Sequence, residues 1–404
     1  ILINTSWFFF IMKVLLVSEY FPPIIHGGGE ISASLLAKEL SKNKIEVHVL
    51  TSFFNGLKHF EIIDNVKIYR KLKTGKNPKI LIDNVKRRFI KNQIKKEIKK
   101  LDIIENYDLI HFLNTTTIVK TKKKSYATIN GYTNFCPKRN LWYKEKKTCS
   151  GCNPIKYVSC ITSSTYIGKM KMPFYIKFNP FAWFFSYYDY IKNKNALNNV
   201  NRLIVLSDFI DSLAKKNIYK SKIPNIMELS KSKKKIKLSS KKFKVLFVGG
   251  LEKHKGLNLL LDAFKKIKNA DLFIAGNKIN KKNTSNIFYL GNVNYDSMSS
   301  LFSQADIVVI PSLWPEPLSR VMIESLYHRC PIIATYVGGN PEGVKNNVNG
   351  FLIESSKNNL STKLQLLIDN KKLRDKFSKE SKKLYKEKFD KNKVIKQIIK
   401  YYKN

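Results

Sequence analysis

Short apolar runs alternate with amphipathic stretches along almost the whole chain. KVLLVSEY (13–20) carries four consecutive apolar residues, the pattern of a strand buried on both faces. A Gly-rich turn at 27–29 follows, then helical spacing near 30–43 and a second strand, EVHVLTS (46–52). YDLIHFLN (107–114), SYATING (125–131) and NRLIVLSD (201–208) continue the series. Strands alternating with helices call for parallel crossovers, so the pattern predicts a doubly wound α/β domain over 12–227. A second series opens at FKVLFVGG (243–250). It runs through a helix near 256–268, ADLFIAGN (270–277), NIFYLGNV (286–293), ADIVVIPS (305–312) and CPIIATYVGG (330–339). Between them, ELSKSKKKIKLSSKK (228–242) is polar, basic and aperiodic, and reads as a linker. The chain therefore reads as two similar α/β domains in tandem, 12–227 and 243–385, facing a cleft, with a basic helix at 386–404.

Two stretches depart from this plain alternation. LIDNVKRRFIKNQIKKEIKKL (81–101) places Ile82, Val85, Phe89, Ile94, Ile98 and Leu101 on one helical face and eight basic residues elsewhere. The apolar stripe is expected to pack on the sheet and the lysines to meet an anionic membrane. MPFYIKFNPFAWFFSYYDYI (172–191) is densely aromatic. An acceptor groove, an interfacial surface and plain core all suit it.

A length of 404 residues suits two domains, and 43 % hydrophobic content supplies their cores. Against 30 acidic residues stand 74 basic ones, a formal charge of +44. Such an excess favours anionic partners, but much of it is Lys in a chain crowded with Ile and Asn, a pattern that coding bias also produces. No helix-turn-helix or RNA-binding aromatic signature accompanies it, so nucleic acid is not expected as a partner. Five cysteines suit a cytoplasmic chain rather than a disulfide scaffold. The opening ILINTSWFFFIM lacks a basic start and a small-residue cleavage site, and Met12 is expected to be the true first residue.

Three constellations could carry chemistry. Gly27, Gly28 and Gly29 lie between the first strand and the first helix, where a phosphate or sugar can approach the backbone. A tight turn alone would also want them, and the spacing is not the dinucleotide G-x-G-x-x-G. In PEPLSRVMIE, Glu316 and Glu324 stand eight residues apart. With Pro317 in the first turn of a helix they would lie about 12 Å apart along its axis. That is too far for a hydrolytic carboxylate pair, at roughly 5–9.5 Å. It suits a long anionic ligand laid over the N–H groups of Leu318, Ser319 and Arg320, with a glutamate at each end. An isolated pair would read as a dipole-favoured glutamate and a solvated one. Third, Cys136, Cys149, Cys152 and Cys160 fall within 25 residues, enough ligands for a structural Zn or an Fe–S cluster. Reduced loop thiols are the other reading.

PSLWPEPLSRVMIESLYHRCPIIATYVGGNPEGVKNNVNGFLIE (311–354) resembles the signature of retaining glycosyltransferases of the GT-B fold, family 4 type. VSEYFPPIIHGGGEISASLLAKEL, VGGLEKHKGLNLLLDAF (248–264) and GNVNYDSMSSLFSQADIVVIPS (291–312) match further motifs of that family in order. The resemblance implies a C-terminal helix packed back on the N-terminal domain. It implies Glu316 on the donor sugar, Glu324 on the ribose and Lys255 on the diphosphate, with Gly28, Gly29, Gly276 and Val293 around the donor. It implies a UDP-, GDP- or ADP-sugar donor, a glycan or lipid-linked acceptor, retention of anomeric configuration, and work at the inner face of the cell membrane. No catalytic metal is implied, and no Asp-x-Asp motif is present. Some members carry a similar cysteine insertion, here 136–160. The chain departs from the pattern twice. Gly250 stands where the family has an arginine, with Arg320 a candidate substitute, and Asn130 stands where it often has a histidine. Asn hydrogen-bonds but carries no proton. These departures support an alternative, a relative that binds nucleotide sugar or glycan without turnover. His26 and His111 lie near family binding loops and read as structural.

Overall fold

The computed structural model describes residues 12–76, 89–113, 118–167, 170–172, 174–214, 217–229, 235–276 and 282–404. Residues 1–11, and with them any question of a leading segment, lie outside these, as do Ile82 and Val85.

Val14, Leu15, Leu16 and Val17 are completely buried, and the reason is their place in the sheet. Strand β1 (Met12–Val17) pairs in parallel with β2 (Ile45–Ser52) on one side and β5 (Leu109–Phe112) on the other. Both its faces are covered, hence the unbroken apolar run. Outward from β5 come β6 (Lys124–Ile129), β11 (Arg202–Val205) and β12 (Tyr219–Lys222). Outward from β2 come β4 (Val66–Leu72) and β3 (Phe60–Ile63), the latter the antiparallel edge. Two antiparallel pairs of two-residue strands lie off this sheet: β7 (Trp142–Tyr143) with β8 (Lys147–Thr148), and β9 (Tyr166–Ile167) with β10 (Met170–Lys171).

The second domain is a six-stranded parallel sheet in the order β15-β14-β13-β16-β17-β18. Its strands are β13 (Phe243–Val248), β14 (Ala270–Ala275), β15 (Ile287–Gly291), β16 (Ile307–Ile310), β17 (Ile332–Thr335) and β18 (Gly350–Ile353). In both sheets the chain reverses its direction of growth at the first strand, between β1 and β5 and between β13 and β16. The crevice beyond the carboxyl ends of strands at such a reversal is where doubly wound sheets bind ligands.

Helix α1 (Gly28–Lys42) follows β1 and buries Ala33, Leu36, Ala37 and Leu40. Helix α2 (Ile90–Glu105) buries Ile90, Ile94, Ile98 and Leu101 on the sheet, so the expected apolar stripe packs where described. Phe89 is the exception: it precedes the helix and is 65 % exposed. The expected C-terminal helix is α11 (Lys391–Lys403) by chain order, after α3 (Pro154–Thr162), α4 (Pro180–Ala196), α5 (Asp208–Leu213), α6 (Leu257–Phe264), α7 (Tyr295–Phe302), α8 (Arg320–Tyr327), α9 (Lys357–Asp369) and α10 (Lys371–Leu384). It does pack back on the first domain. Val394, Ile395, Ile398, Tyr401 and Tyr402 join the core of Val14, Leu16, Val47 and Tyr126. Five such side chains contribute on the order of 10 kcal/mol of burial. The linker is tied down at its end: the Ile236 N–H donates to Ser300 Oγ on α7 and the Leu238 N–H to Gln304 Oε1 just past it.

Candidate active site

The loops that close the cleft leave the carboxyl ends of β1, β6, β13 and β16. Together they line a cavity of about 330 Å³ between the two domains. From the first domain come Gly28, Gly29, Asn130, Tyr132 and Arg139; from the second, Lys255, Ser312, Trp314, Glu316 and the stretch Leu318–Arg320.

Glu316 is the most heavily engaged of these. Its Oε1 accepts from Lys255 Nζ at 2.5 Å, from Ser312 Oγ at 3.0 Å and from Trp314 Nε1 at 3.4 Å, and the residue is buried. Its backbone is clamped as well. Gly339 N–H donates to Glu316 O at 2.7 Å, and Tyr132 O–H donates to Pro315 O across the cleft at 2.6 Å. Gly338 has φ +53, and a Cβ there would lie 2.5 Å from Glu316 N and 2.3 Å from its O. Only glycine fits both demands. Lys255 is brought to Glu316 by a short turn, Lys253–Lys255, that ends on Gly256 in the left-handed region, φ +74. A carboxylate and an ammonium thus meet at the cleft floor beneath the glycine loop.

The helix after Glu316 begins later than its sequence suggests. Pro317 was expected in the first turn, but α8 starts at Arg320. Ser319 caps it, its Oγ accepting from Met322 N–H at 3.4 Å. A serine cap satisfies an amide that a proline at N1 leaves unaddressed, so the cap sets the boundary. Glu316 and Leu318 therefore belong to the loop, and Ser319 to the cap. Arg320 reaches over the cleft: its Nη1 donates to Ser32 Oγ at 3.4 Å, and a Cβ on Gly28 would lie 3.0 Å from its Cδ. Gly29 has open space where a Cβ would stand. Gly27 N–H donates to Glu30 Oε2 at 2.9 Å, which fixes the loop as α1 begins.

Glu324 is buried on the second turn of α8, and removal from water pushes its carboxyl up to about 7, with Arg320 pulling the other way. It does not line the cavity, and neither do Gly250, Gly276 or Val293. Gly276 has a backbone reason of its own: a Cβ would lie 1.9 Å from Gly249 O. Asn130 lines the cavity with its amide engaged, donating to Leu113 O at 3.0 Å and accepting from Asn225 at 3.1 Å. His111 is a core residue, bridging Tyr402 at 2.6 Å and Thr128 at 2.8 Å, and burial pulls its imidazole down to about 3. His26 packs edge-on against Tyr20, 4.6 Å between ring centres. Sequence reading had not singled out Ser312, Tyr132, Trp314, Gly338 or Gly339. Their neighbours Asn130, Glu316 and the VGG run were the available signal.

Away from the cleft, two further sets of residues with ligand chemistry are found among the described residues, and only the first has its ligand atoms already within 4.8 Å of one another. Glu46, His48 and Glu105 converge. Lys13 and Lys67 already occupy their carboxylates at 2.9–3.4 Å, and burial holds His48 below its usual range, so the group is a structural charge network. Cys136, Cys149, Cys152 and Cys160 line one small cavity in the insertion next to the cleft.

Residues 230–384 match the family model "Glycosyl transferases group 1". An uncharacterized glycosyltransferase of Methanocaldococcus jannaschii is 26 % identical over 414 aligned positions, covering 97 % of this chain and 98 % of that one. Among solved structures, sucrose-phosphate synthase from Thermosynechococcus elongatus superposes with a TM-score of 0.73 at 17 % identity, covering 97 % of this chain and 98 % of its own. Anabaena HepE in complex with UDP-glucose does so at 0.62 and 15 % identity, covering 96 % and 99 %. Residues 230–384 thus resemble glycosyl transferases group 1, and over nearly its whole length the chain has the two-domain GT-B fold.

Proposed function

We propose that this protein transfers a sugar from a nucleoside-diphosphate sugar to a glycan or lipid-linked acceptor with retention of anomeric configuration. The observation that carries the reading is the Glu316–Lys255 pair at the floor of an interdomain cavity roofed by Gly28 and Gly29. The donor lies with its diphosphate between the glycine loop and two cations, Lys255 and Arg320. Arg320 takes the place of the arginine missing at Gly250. These charges stabilise the leaving diphosphate as the glycosidic bond breaks. Glu316 receives the sugar hydroxyls, and the ribose extends past the cavity wall of Arg320 and Val321 to Glu324, the partner that the family resemblance implies. HepE, similar in fold, has been solved with UDP-glucose, which supports UDP as the first nucleotide to try. The diphosphate oxygen facing the incoming hydroxyl serves as base, in keeping with an Asn rather than a His at position 130. Transfer from radiolabelled UDP-sugars, with the product anomer read by NMR, tests this. An α-linked product from an α-linked donor, abolished in Glu316→Gln, supports it, and an inverted product overturns retention. Donor binding with no product from any acceptor would favour the binding-only alternative.

The acceptor side faces a membrane. No helix among the described residues is long and apolar enough to cross one. Helix α4 nevertheless exposes Phe181, Phe184, Phe185 and Tyr188, and Phe174 and Phe178 stand exposed just before it, with Lys177 and Lys192 over the rings of Phe178 and Tyr188. Aromatics amid lysines suit the headgroup region of an anionic bilayer. Sedimentation with phosphatidylglycerol vesicles should carry the wild type down and leave a Phe181→Ser, Phe184→Ser variant in solution. Equal sedimentation of the two would remove α4 from the membrane.

A further inference from the structure

The insertion that carries Cys136, Cys149, Cys152 and Cys160 has almost no core of its own. It holds two two-residue strands and the nine-residue helix α3. Yet all four sulfur-bearing residues, drawn from positions 24 residues apart in sequence, line the same small cavity, which has room for about one water-sized sphere at ≈ 10 Å³. All four are free thiols, and three of them are buried.

Lys138 lines this cavity and is 1 % exposed. Its ammonium donates to Trp142 O at 2.9 Å and Ser164 Oγ at 2.5 Å, and it has no carboxylate partner among the described residues. A buried ammonium without a counter-charge costs several kcal/mol. The stretch 136–162 holds six basic residues, with Glu145 its only acid, and Glu145 is committed to Thr165 and Tyr166. Four thiolates on a divalent ion carry a net charge of −2, and Lys138 stands beside them.

We propose that the four cysteines bind one structural zinc ion, each giving up its thiol proton to become a thiolate ligand. The cavity, at ≈ 10 Å³, suits a single ion. Zinc needs sulfurs about 3.8 Å apart around a centre about 2.3 Å from each. Two of the thiols now donate to backbone carbonyls, Cys149 Sγ to Gly151 O at 3.1 Å and Cys152 Sγ to Asn153 O at 3.6 Å, and these are protons that metal binding displaces to solvent. Gly151, between them, has φ +140, so the loop has the backbone freedom this needs.

The ion would staple two functional surfaces. Arg139, three residues past Cys136, lines the interdomain cavity. Helix α3, which carries Cys160, packs Tyr157 and Ile161 against Trp183 and Tyr187 of the aromatic helix α4. The experiment is elemental analysis of the full chain purified without chelator, with cobalt(II) exchange of the same protein. About one zinc per chain, and intense visible bands of tetrahedral thiolate cobalt at one equivalent, are expected. Cys152→Ser, at the least buried of the four positions, should weaken cobalt binding at least tenfold while the far-UV circular dichroism stays unchanged. Absence of metal, iron with acid-labile sulfide, a disulfide among the four, or undiminished cobalt binding by Cys152→Ser would each overturn the assignment.

Discussion

Replacing Glu324 by Gln should stabilise the protein and weaken its ligand binding, with a pH dependence that identifies the cause. The carboxyl is buried and held at about 7 rather than 4.5, because ionising it away from water is unfavourable and Arg320 only partly offsets this. In the unfolded chain it loses its proton near the ordinary value. Between pH 4.5 and 7 the unfolded state therefore binds fewer protons, and stability falls as pH rises through that window. Above it the full penalty is in place, about 3 kcal/mol, whereas at pH 5 it is under about 1 kcal/mol. Glutamine keeps the shape and removes the ionisation. Denaturant unfolding of wild type and Glu324→Gln at pH 5 and pH 8 should show the variant the more stable, by up to about 3 kcal/mol at pH 8. The gap should shrink towards pH 5. Affinity for nucleoside diphosphate should drop in the variant, because the carboxylate that burial penalises is the one proposed to take the ribose hydroxyls. A stability gap that is flat in pH, or a wild type that is the more stable at pH 8, would refute the reasoning.

Other outcomes follow from the same geometry. Gly338→Ala forces a Cβ against the backbone of Glu316 at a left-handed φ. It should cost more than about 1 kcal/mol and lower kcat far more than it raises KM, and a variant of normal rate would free Glu316 from the clamp. Tyr132→Phe removes the hydrogen bond to Pro315 O, and should lower Tm by a few degrees, equivalent to about 1 kcal/mol, while slowing transfer; unchanged values on both counts would contradict it. His111, held neutral down to about pH 3, binds its proton more readily when unfolded, so it erodes stability as pH falls from 6.5 towards 3. His111→Gln should therefore show a shallower acid-unfolding profile over pH 6 to 4, and an identical profile would count against a buried neutral imidazole.

Much of this was legible because buried parallel strands are written as unbroken apolar runs. VLLV at β1 and IVVI at β16 announce themselves, and the turns after them carry the site. The hairpin of β3 and β4 was not foreseen. Its edge strand is largely exposed, so its FEII run mimics surface scatter, and its Asp64–Asn65 turn needs two residues at positive φ that no motif flagged. Strand β12, YKSK, has no apolar run to stand out. At the site, Glu316, Lys255 and the glycines were found from motif and spacing. Tyr132, Trp314 and Gly338 were missed because their importance is a contact across the fold: Tyr132 lies 183 positions from Pro315. The start of α8 was misplaced by three residues because a serine cap outranked a proline.

The proposed donor site puts a nucleoside diphosphate between the Gly28–Gly29 loop and Lys255. Isothermal titration of UDP, GDP and ADP into wild type and Lys255→Ala tests it most directly. Loss of a charge-assisted phosphate contact is worth roughly 1.5–3 kcal/mol, about a 10- to 150-fold change in affinity. One nucleotide is expected to bind selectively, and Lys255→Ala to weaken it by that factor. Binding of none of the three, or equal affinity in the variant, would contradict it.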